Sequence, residues 1–166
     1  MARLVLIYTG MQDVKINTTT EGERMRIIIK EAGTEYPMKD APAIKTPQDA
    51  ADQAEELRAS ETEAFCVMLL DAQNKLKLAE IVTTGIADAT LVHPREVFRS
   101  AVKAGACAII ILHNHPSGDP TPSAEDIRMT KTLVDAGKVL DIKVLDHVIV
   151  GETTLSLREE GLVDFV

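Results

Sequence analysis

Residues 107 to 126 read Cys107-Ala-Ile-Ile-Ile-Leu112-His113-Asn114-His115-Pro116-Ser-Gly-Asp-Pro-Thr-Pro-Ser123-Ala-Glu-Asp126. Cys107 to Leu112 is apolar at every position, which predicts a central strand covered on both faces. His113 and His115 follow at i and i+2, a spacing that puts both imidazoles on one side of extended backbone. Pro116, Gly118, Pro120 and Pro122 then break the chain, and Ser123 has the form of a helix cap. Two imidazoles with the carboxylate of Asp126 make three ligands for one cation and leave a fourth position for water, the arrangement of a hydrolytic zinc. The residues alone also allow a polar strand end that runs into a turn, with Ser123 as a simple cap and Asp126 complementing the helix dipole.

Working outward, Ser123 to Ala136 reads as an amphipathic helix closed by Gly137, and Asp141 to Val150 as a returning strand rich in Val, Ile and Leu. Ser156-Leu-Arg-Glu159 has capping-box form and predicts a last helical turn before Gly161. On the other side, Pro94 to Ala104 is a helix with Val97, Phe98, Ala101 and Val102 facing inward, ended by Gly105. Phe65 to Leu70 is a buried strand, Asp71 to Lys75 a turn, and Leu76 to Thr83 the returning strand of a hairpin. Thr46-Pro47 starts a helix that carries Ala50, Ala54 and Leu57 on one face and ends near Ser60. Helices and strands in this order predict a mixed sheet between helices, a three-layer α/β plan. Arg3–Tyr8 and Arg26–Ile29 look like short strands, and prolines near residues 37 and 42 mark a break. Residues 1–40 are therefore expected to be a short β-rich extension, and 41–166 the main domain.

Composition narrows the function. With 3% aromatic residues and no Trp there are few flat rings on which unpaired bases could stack. A formal charge of -8, with Lys and Arg scattered, repels a phosphate backbone, so direct nucleic-acid binding is not supported. Leu4 to Ile7 is too short an apolar run for a signal segment or a membrane span, which points to a soluble cytoplasmic protein. Cys66 and Cys107 have no C-x-x-C partner and read as small core residues rather than as a disulfide or a thiolate zinc site. Zinc nucleobase deaminases pair His-x-Glu with Pro-Cys-x-x-Cys, and this chain has neither.

The string His113-x-His115-Pro116 followed by Ser123-x-x-Asp126 matches the JAMM, or MPN-plus, signature of zinc metallopeptidases. The fuller stretch from His113 to Ser123 closely resembles the bacterial RadC family, as do Val92-His-Pro-Arg-Glu-Val97 and Val144-Leu-Asp-His-Val-Ile-Val-Gly151. The resemblance covers about Ile44 to Val166. RadC-like proteins commonly carry a helix-hairpin-helix region ahead of this domain, and the residues before it here are too few and too strand-like to be one.

The resemblance implies a cytidine-deaminase-like fold, Zn2+ held by His113, His115 and Asp126, and hydrolysis of a peptide or isopeptide bond in a peptide or protein substrate. It also implies Ser123 as a hydrogen-bond donor to the oxyanion, with helix capping as the other use of that hydroxyl. The proton-handling glutamate comes, in such enzymes, from the start of the strand that opens the domain; Glu63 fits best and Glu61 is the fallback. His93 and His147 are not needed as ligands, His147 reading as a hydrogen-bonded core histidine. Asp119, Lys131 and Lys143 read as surface charges, and Asn114 and Ser117 as loop residues able to bind substrate backbone. A different class of function is a metal-stabilised, non-catalytic interaction module in DNA repair or mobile-element processing. A nuclease is disfavoured by the charge. The sequence leaves oligomeric state open.

Overall fold

The structure, a computed structural model, describes residues 43–85 and 92–165. The two strands expected within residues 1–40 lie outside the described residues.

Thr46 caps the first helix, α1 (Pro47–Gln53), through a capping box with Asp49. The helix does not run on to Ser60 but breaks at Ala54 (φ -121°, ψ 31°) into a short second piece, α2 (Glu55–Arg58). The bend leaves Ala50, Ala51, Ala54 and Leu57 all buried. The hairpin follows as β1 (Ala64–Leu70) and β2 (Leu76–Thr84). Its turn is tied by Asp71 Oδ1, which accepts from the backbone N–H groups of Gln73 and Lys75. Then come α3 (Pro94–Lys103), β3 (Ala108–Asn114), α4 (Ala124–Leu140), β4 (Lys143–Val150) and β5 (Thr154–Ser156).

The strands form one five-stranded sheet in the order β2-β1-β3-β4-β5. β1 is antiparallel to β2 and to β3, β3 is parallel to β4, and β4 is antiparallel to β5. Strand alternation divides the core in two. Phe65, Val67, Leu69, Ile109 and Ile111 join Val97, Phe98, Met129 and Leu133 of α3 and α4 on one face. Cys66, Met68, Leu70, Ile110 and Leu112 meet Ala50, Ala51 and Leu57 on the other. The three layers expected from the sequence are present, and β1 and β3 are buried at every position as their unbroken apolar runs require.

Four local expectations are corrected. Gly137 does not close α4, which continues to Leu140 and ends on Asp141 in the left-handed conformation (φ 56°). Gly137 instead permits close packing, since a Cβ there would stand 2.5 Å from the Ile142 carbonyl oxygen. Val102, expected inside, is 58% exposed, because the buried stripe of α3 is Val97, Phe98 and Ala101. Cys107 is exposed, lying one residue before β3 begins, whereas Cys66 is buried. Ser156 ends a strand and opens a turn rather than a helix: its Oγ accepts from the Glu159 N–H at 3.0 Å but donates to Asp146 Oδ2 at 2.6 Å. Among the described residues no helix is long and apolar enough to cross a membrane.

Candidate metal centre

β3 delivers His113 to the end of the sheet, paired with Phe65 on β1 and with Ile149 on β4. His115 lies just beyond the strand, its N–H donating to the Val150 carbonyl at 3.0 Å. The loop then turns back and is fastened to the β4–β5 turn. The Glu152 N–H donates to the Gly118 carbonyl at 2.7 Å, and a Cβ on Gly151 would lie 2.3 Å from that same oxygen, so only glycine fits at 151. Arg58 of α2 fastens the turn from the other side by donating to the carbonyls of Gly151 and Glu152. α4 starts where the loop ends and presents Asp126 in its first turn.

This brings His113, His115 and Asp126 together. One ligand atom from each lies within 4.8 Å of the others. The Nε2 atoms of His113 and His115 are 2.8 Å apart, and Asp126 Oδ1 is 3.5 Å from His113 Nε2. His113 and Asp126 are 2% and 4% exposed, so their polar atoms are shielded from water. Phe65 stacks beside His113, with ring centroids 6.4 Å apart, and closes the site on its apolar side. Burial pushes the His113 imidazole down to about 4 despite the opposing charge of Asp126, so the ring is neutral at neutral pH.

The donor atoms suit a cation. His115 Nδ1 lies 2.7 Å from the Asp119 carbonyl oxygen, which only accepts, so Nδ1 carries a proton and Nε2 is the ring nitrogen left to offer a lone pair to a cation. That lone pair faces His113 Nε2 and the Asp126 carboxylate. Two imidazole nitrogens and one carboxylate oxygen, mostly buried, fit zinc or a similar divalent ion.

Asp126 also serves its own helix. Its Oδ2 accepts from the Ser123 N–H at 2.7 Å and the Ser123 hydroxyl at 2.6 Å, while Ser123 Oγ accepts from the Asp126 N–H at 3.1 Å. Ser123 therefore caps α4 and braces the carboxylate with its single hydroxyl hydrogen. Oδ1 is left facing His113, while Oδ2 also lies 3.9 Å from His115 Nε2.

Glu63 precedes β1 and is half-buried, whereas Glu61 is exposed. Burial raises the Glu63 carboxyl, His115 lowers it and the charge of Asp126 raises it, so this side chain shares the field of the cluster. Asn114 holds the segment in place and is not available to substrate. Its Oδ1 accepts from the Ala64 N–H at 2.8 Å, and its Nδ2 donates to the Ser60 and Thr62 carbonyls at 3.2 and 3.1 Å. Ser117 is exposed on the loop and accepts from the Asp119 N–H. Asp119, read as a surface charge, is exposed, but its carbonyl orients His115. His93 heads α3 without a side-chain capping bond, and Lys131 and Lys143 are exposed.

Two residues beside the cluster were not singled out for it. His147 is fully buried, with Nε2 2.7 Å from His113 Nδ1, and burial holds its pKa well below the ordinary histidine value. Thr130 Oγ1 lies 2.5 Å from His147 Nδ1 and donates to the Asp126 carbonyl at 2.5 Å. The spacing of Thr130 four residues after Asp126 is a usable signal, because i and i+4 share a helix face. His147 is the hydrogen-bonded core histidine that the sequence predicts, but its partner was not legible: it lies across from Ile111 and two places from the partner of His113, a parallel register that only the folded sheet reveals.

The RadC-like JAB domain family matches residues 44–162 of this chain. The chain is 42% identical over 154 residues to a UPF0758 protein of Caldanaerobacter subterraneus subsp. tengcongensis, covering 92% of this chain and 63% of that protein. It is 48% identical over 122 residues to a UPF0758 protein of Alkaliphilus metalliredigens, covering 72% of this chain and 53% of the other. A UPF0758 protein of Methanosarcina barkeri is 47% identical over 108 residues, 64% of this chain and 47% of its own. The chain thus spans about half to three-fifths of the length of these curated relatives. It belongs to the RadC-like JAB domain family.

Proposed function

We propose that this member of the RadC-like JAB domain family is a zinc-dependent hydrolase of JAMM type that cleaves a peptide or isopeptide bond. The observation that carries the reading is the convergence of two imidazole nitrogens with the carboxylate of a buried aspartate, with Glu63 at the same end of the sheet. His113, His115 and Asp126 would hold the ion. When bound, it supplies the Lewis acidity that makes water a nucleophile at neutral pH and polarises the scissile carbonyl.

Glu63 takes the proton from the attacking water and passes it to the nitrogen of the leaving amine as the carbon–nitrogen bond breaks. Its half-buried place directly before β1, at the site end of the sheet, suits that task. Ser123 stabilises the developing oxyanion by turning its hydroxyl from Asp126 Oδ2 towards the substrate. Asn114 keeps Glu63 at the site by holding the backbone on either side of it. We place the protein in the cytoplasm, where free thiols such as Cys66 and Cys107 are ordinary.

The test is a peptide library that includes isopeptide-linked members, digested by zinc-loaded and chelator-treated protein and read by mass spectrometry. Cleavage that requires zinc and disappears in Glu63→Gln, with zinc content retained, supports the reading. Stoichiometric zinc with no cleavage of any member favours the non-catalytic module.

A further inference from the structure

The buried pair Thr130 and His147 stands directly behind the candidate ligands and takes no part in the chemistry above. We propose that Thr130 and His147 form a directional hydrogen-bond relay that fixes the tautomer of His113 and so presents its Nε2 lone pair to the cation. The proposal rests on the reading of His113 as a ligand.

The direction follows from the far end. The Asp126 carbonyl can only accept, so the 2.5 Å contact from Thr130 uses the single hydrogen of the Thr130 hydroxyl. Thr130 Oγ1 must then accept from His147, and at 2.5 Å the partner atom is Nδ1, which therefore carries a hydrogen. In a neutral ring that leaves a lone pair on His147 Nε2. The next contact, 2.7 Å to His113 Nδ1, is a hydrogen bond only if His113 Nδ1 donates. The proton of His113 is thus on the side away from the site, and its Nε2 is bare.

The same outcome arises independently at His115, where the Asp119 carbonyl takes the Nδ1 proton. Two bare nitrogens then face each other at 2.8 Å beside a carboxylate oxygen. Lone pairs at that distance repel unless a positive charge lies between them. The cluster is thus arranged as a cation receptor, and the relay joins two of its members. It starts at the backbone of Asp126, passes through Thr130 and His147, and ends on His113. α4 and β4 are thereby locked together behind the site. Hydrogen bonds of this kind to the outer nitrogen of a ligand histidine orient the ring and raise its basicity.

The substitutions that separate relay from packing are Thr130→Val, which keeps the volume and loses the acceptor, and Thr130→Ser, which restores the hydroxyl. At His147 the matching pair is Leu, which carries no polar atom, and Gln, which can accept at one end and donate at the other. Zinc affinity is measured by competition with a chromophoric chelator, and long-range 1H–15N spectra report which nitrogen of His113 carries the proton. In the wild-type chain the His113 Nδ1 should be protonated, both zinc-free and zinc-loaded. Thr130→Val and His147→Leu should lose about 10- to 100-fold in zinc affinity and show mixed tautomers at His113. Thr130→Ser and His147→Gln should recover most of both.

A merely structural pair would lower the melting temperature and leave the His113 spectrum unchanged. Wild-type affinity in folded Thr130→Val, or a wild-type His113 protonated at Nε2 in the zinc-free state, overturns the relay. If Thr130→Val and His147→Leu do not fold, the wild-type spectrum alone decides. Failure of the wild-type chain to bind zinc would remove the metal reading while the zinc-free spectrum still judged the relay.

Discussion

Two helices of this molecule begin in the same way and end up with different tasks. Thr46 and Asp49 form a capping box at α1, and Ser123 and Asp126 form one at α4. In each, a hydroxyl accepts from the third N–H while the aspartate accepts from the cap's own N–H. At α1 the groups that lower the Asp49 pKa all lie in its own turn, first the backbone N–H of Lys45 and then Thr46. At α4 the carboxylate is 4% exposed, and its second oxygen faces His113. Capping and ligation are therefore not rival readings of Asp126: Oδ2 serves the cap, and Oδ1 is left free of it. What turns a cap into a ligand is what the sheet brings to the second oxygen.

The largest test of this contrast is the pair Asp126→Asn and Asp49→Asn. The first should lower zinc affinity by about 100-fold or more, beyond the range seen for outer-shell partners, and the second should leave it unchanged. Equal zinc titrations for the two would break the comparison. Glu63→Gln should reduce hydrolysis by about 100- to 10,000-fold with zinc content and melting temperature intact, separating the carboxylate that moves protons from the one that holds the ion. Asn114→Ala should destabilise the fold by about 1 to 3 kcal/mol, because the Ala64 N–H loses its buried acceptor, and should slow turnover by freeing Glu63. Urea unfolding and steady-state rates read the two effects.

Acid separates the histidines packed behind the start of α4 from the capping box of α1. His113 and His147 are held below the ordinary histidine pKa, so between the folded values and about 6.5 the unfolded chain binds more protons than the native one. Their stability is fully present above 6.5 and is lost as pH falls below it, by up to about 1.4 kcal/mol per pH unit for each ring. Asp49 has a lowered pKa, so its contribution is present above the ordinary carboxylate value of 3.8 and lost only below it. Melting curves of chelator-treated protein should show the first loss without the second between pH 6.5 and 4.5, and His147→Gln should flatten that slope. The smallest effect is Thr46→Ala, a cost of about 1 kcal/mol with no change in zinc binding.

The strands were readable where burial leaves no choice. Phe65 to Leu70, Ala108 to Leu112 and Val148 to Val150 are apolar runs that a sheet covered on both faces accommodates. The ligand trio was readable because its spacing is local to one strand end and one helix start. Tertiary packing decided the rest. Whether Val102 faces inward depends on where α3 lies over the sheet, and whether Gly137 stops a helix depends on the carbonyl of Ile142 pressing against it. Asn114 read as a loop residue because nothing in its neighbourhood names Ser60, Thr62 or Ala64. The pairing of β1 with β3 makes those contacts.

Because β3 takes β1 on one side and β4 on the other, the order of delivery from the ribosome matters. A nascent chain that has reached Asn114 holds everything needed for the antiparallel β2-β1-β3 part of the sheet. Its other edge, the full length of β3, then waits through the synthesis of α4 for its parallel partner. During that interval an apolar strand with open backbone groups is available to neighbouring chains, the situation in which edge-to-edge aggregation begins. A chain cut short before Lys143 never covers that edge.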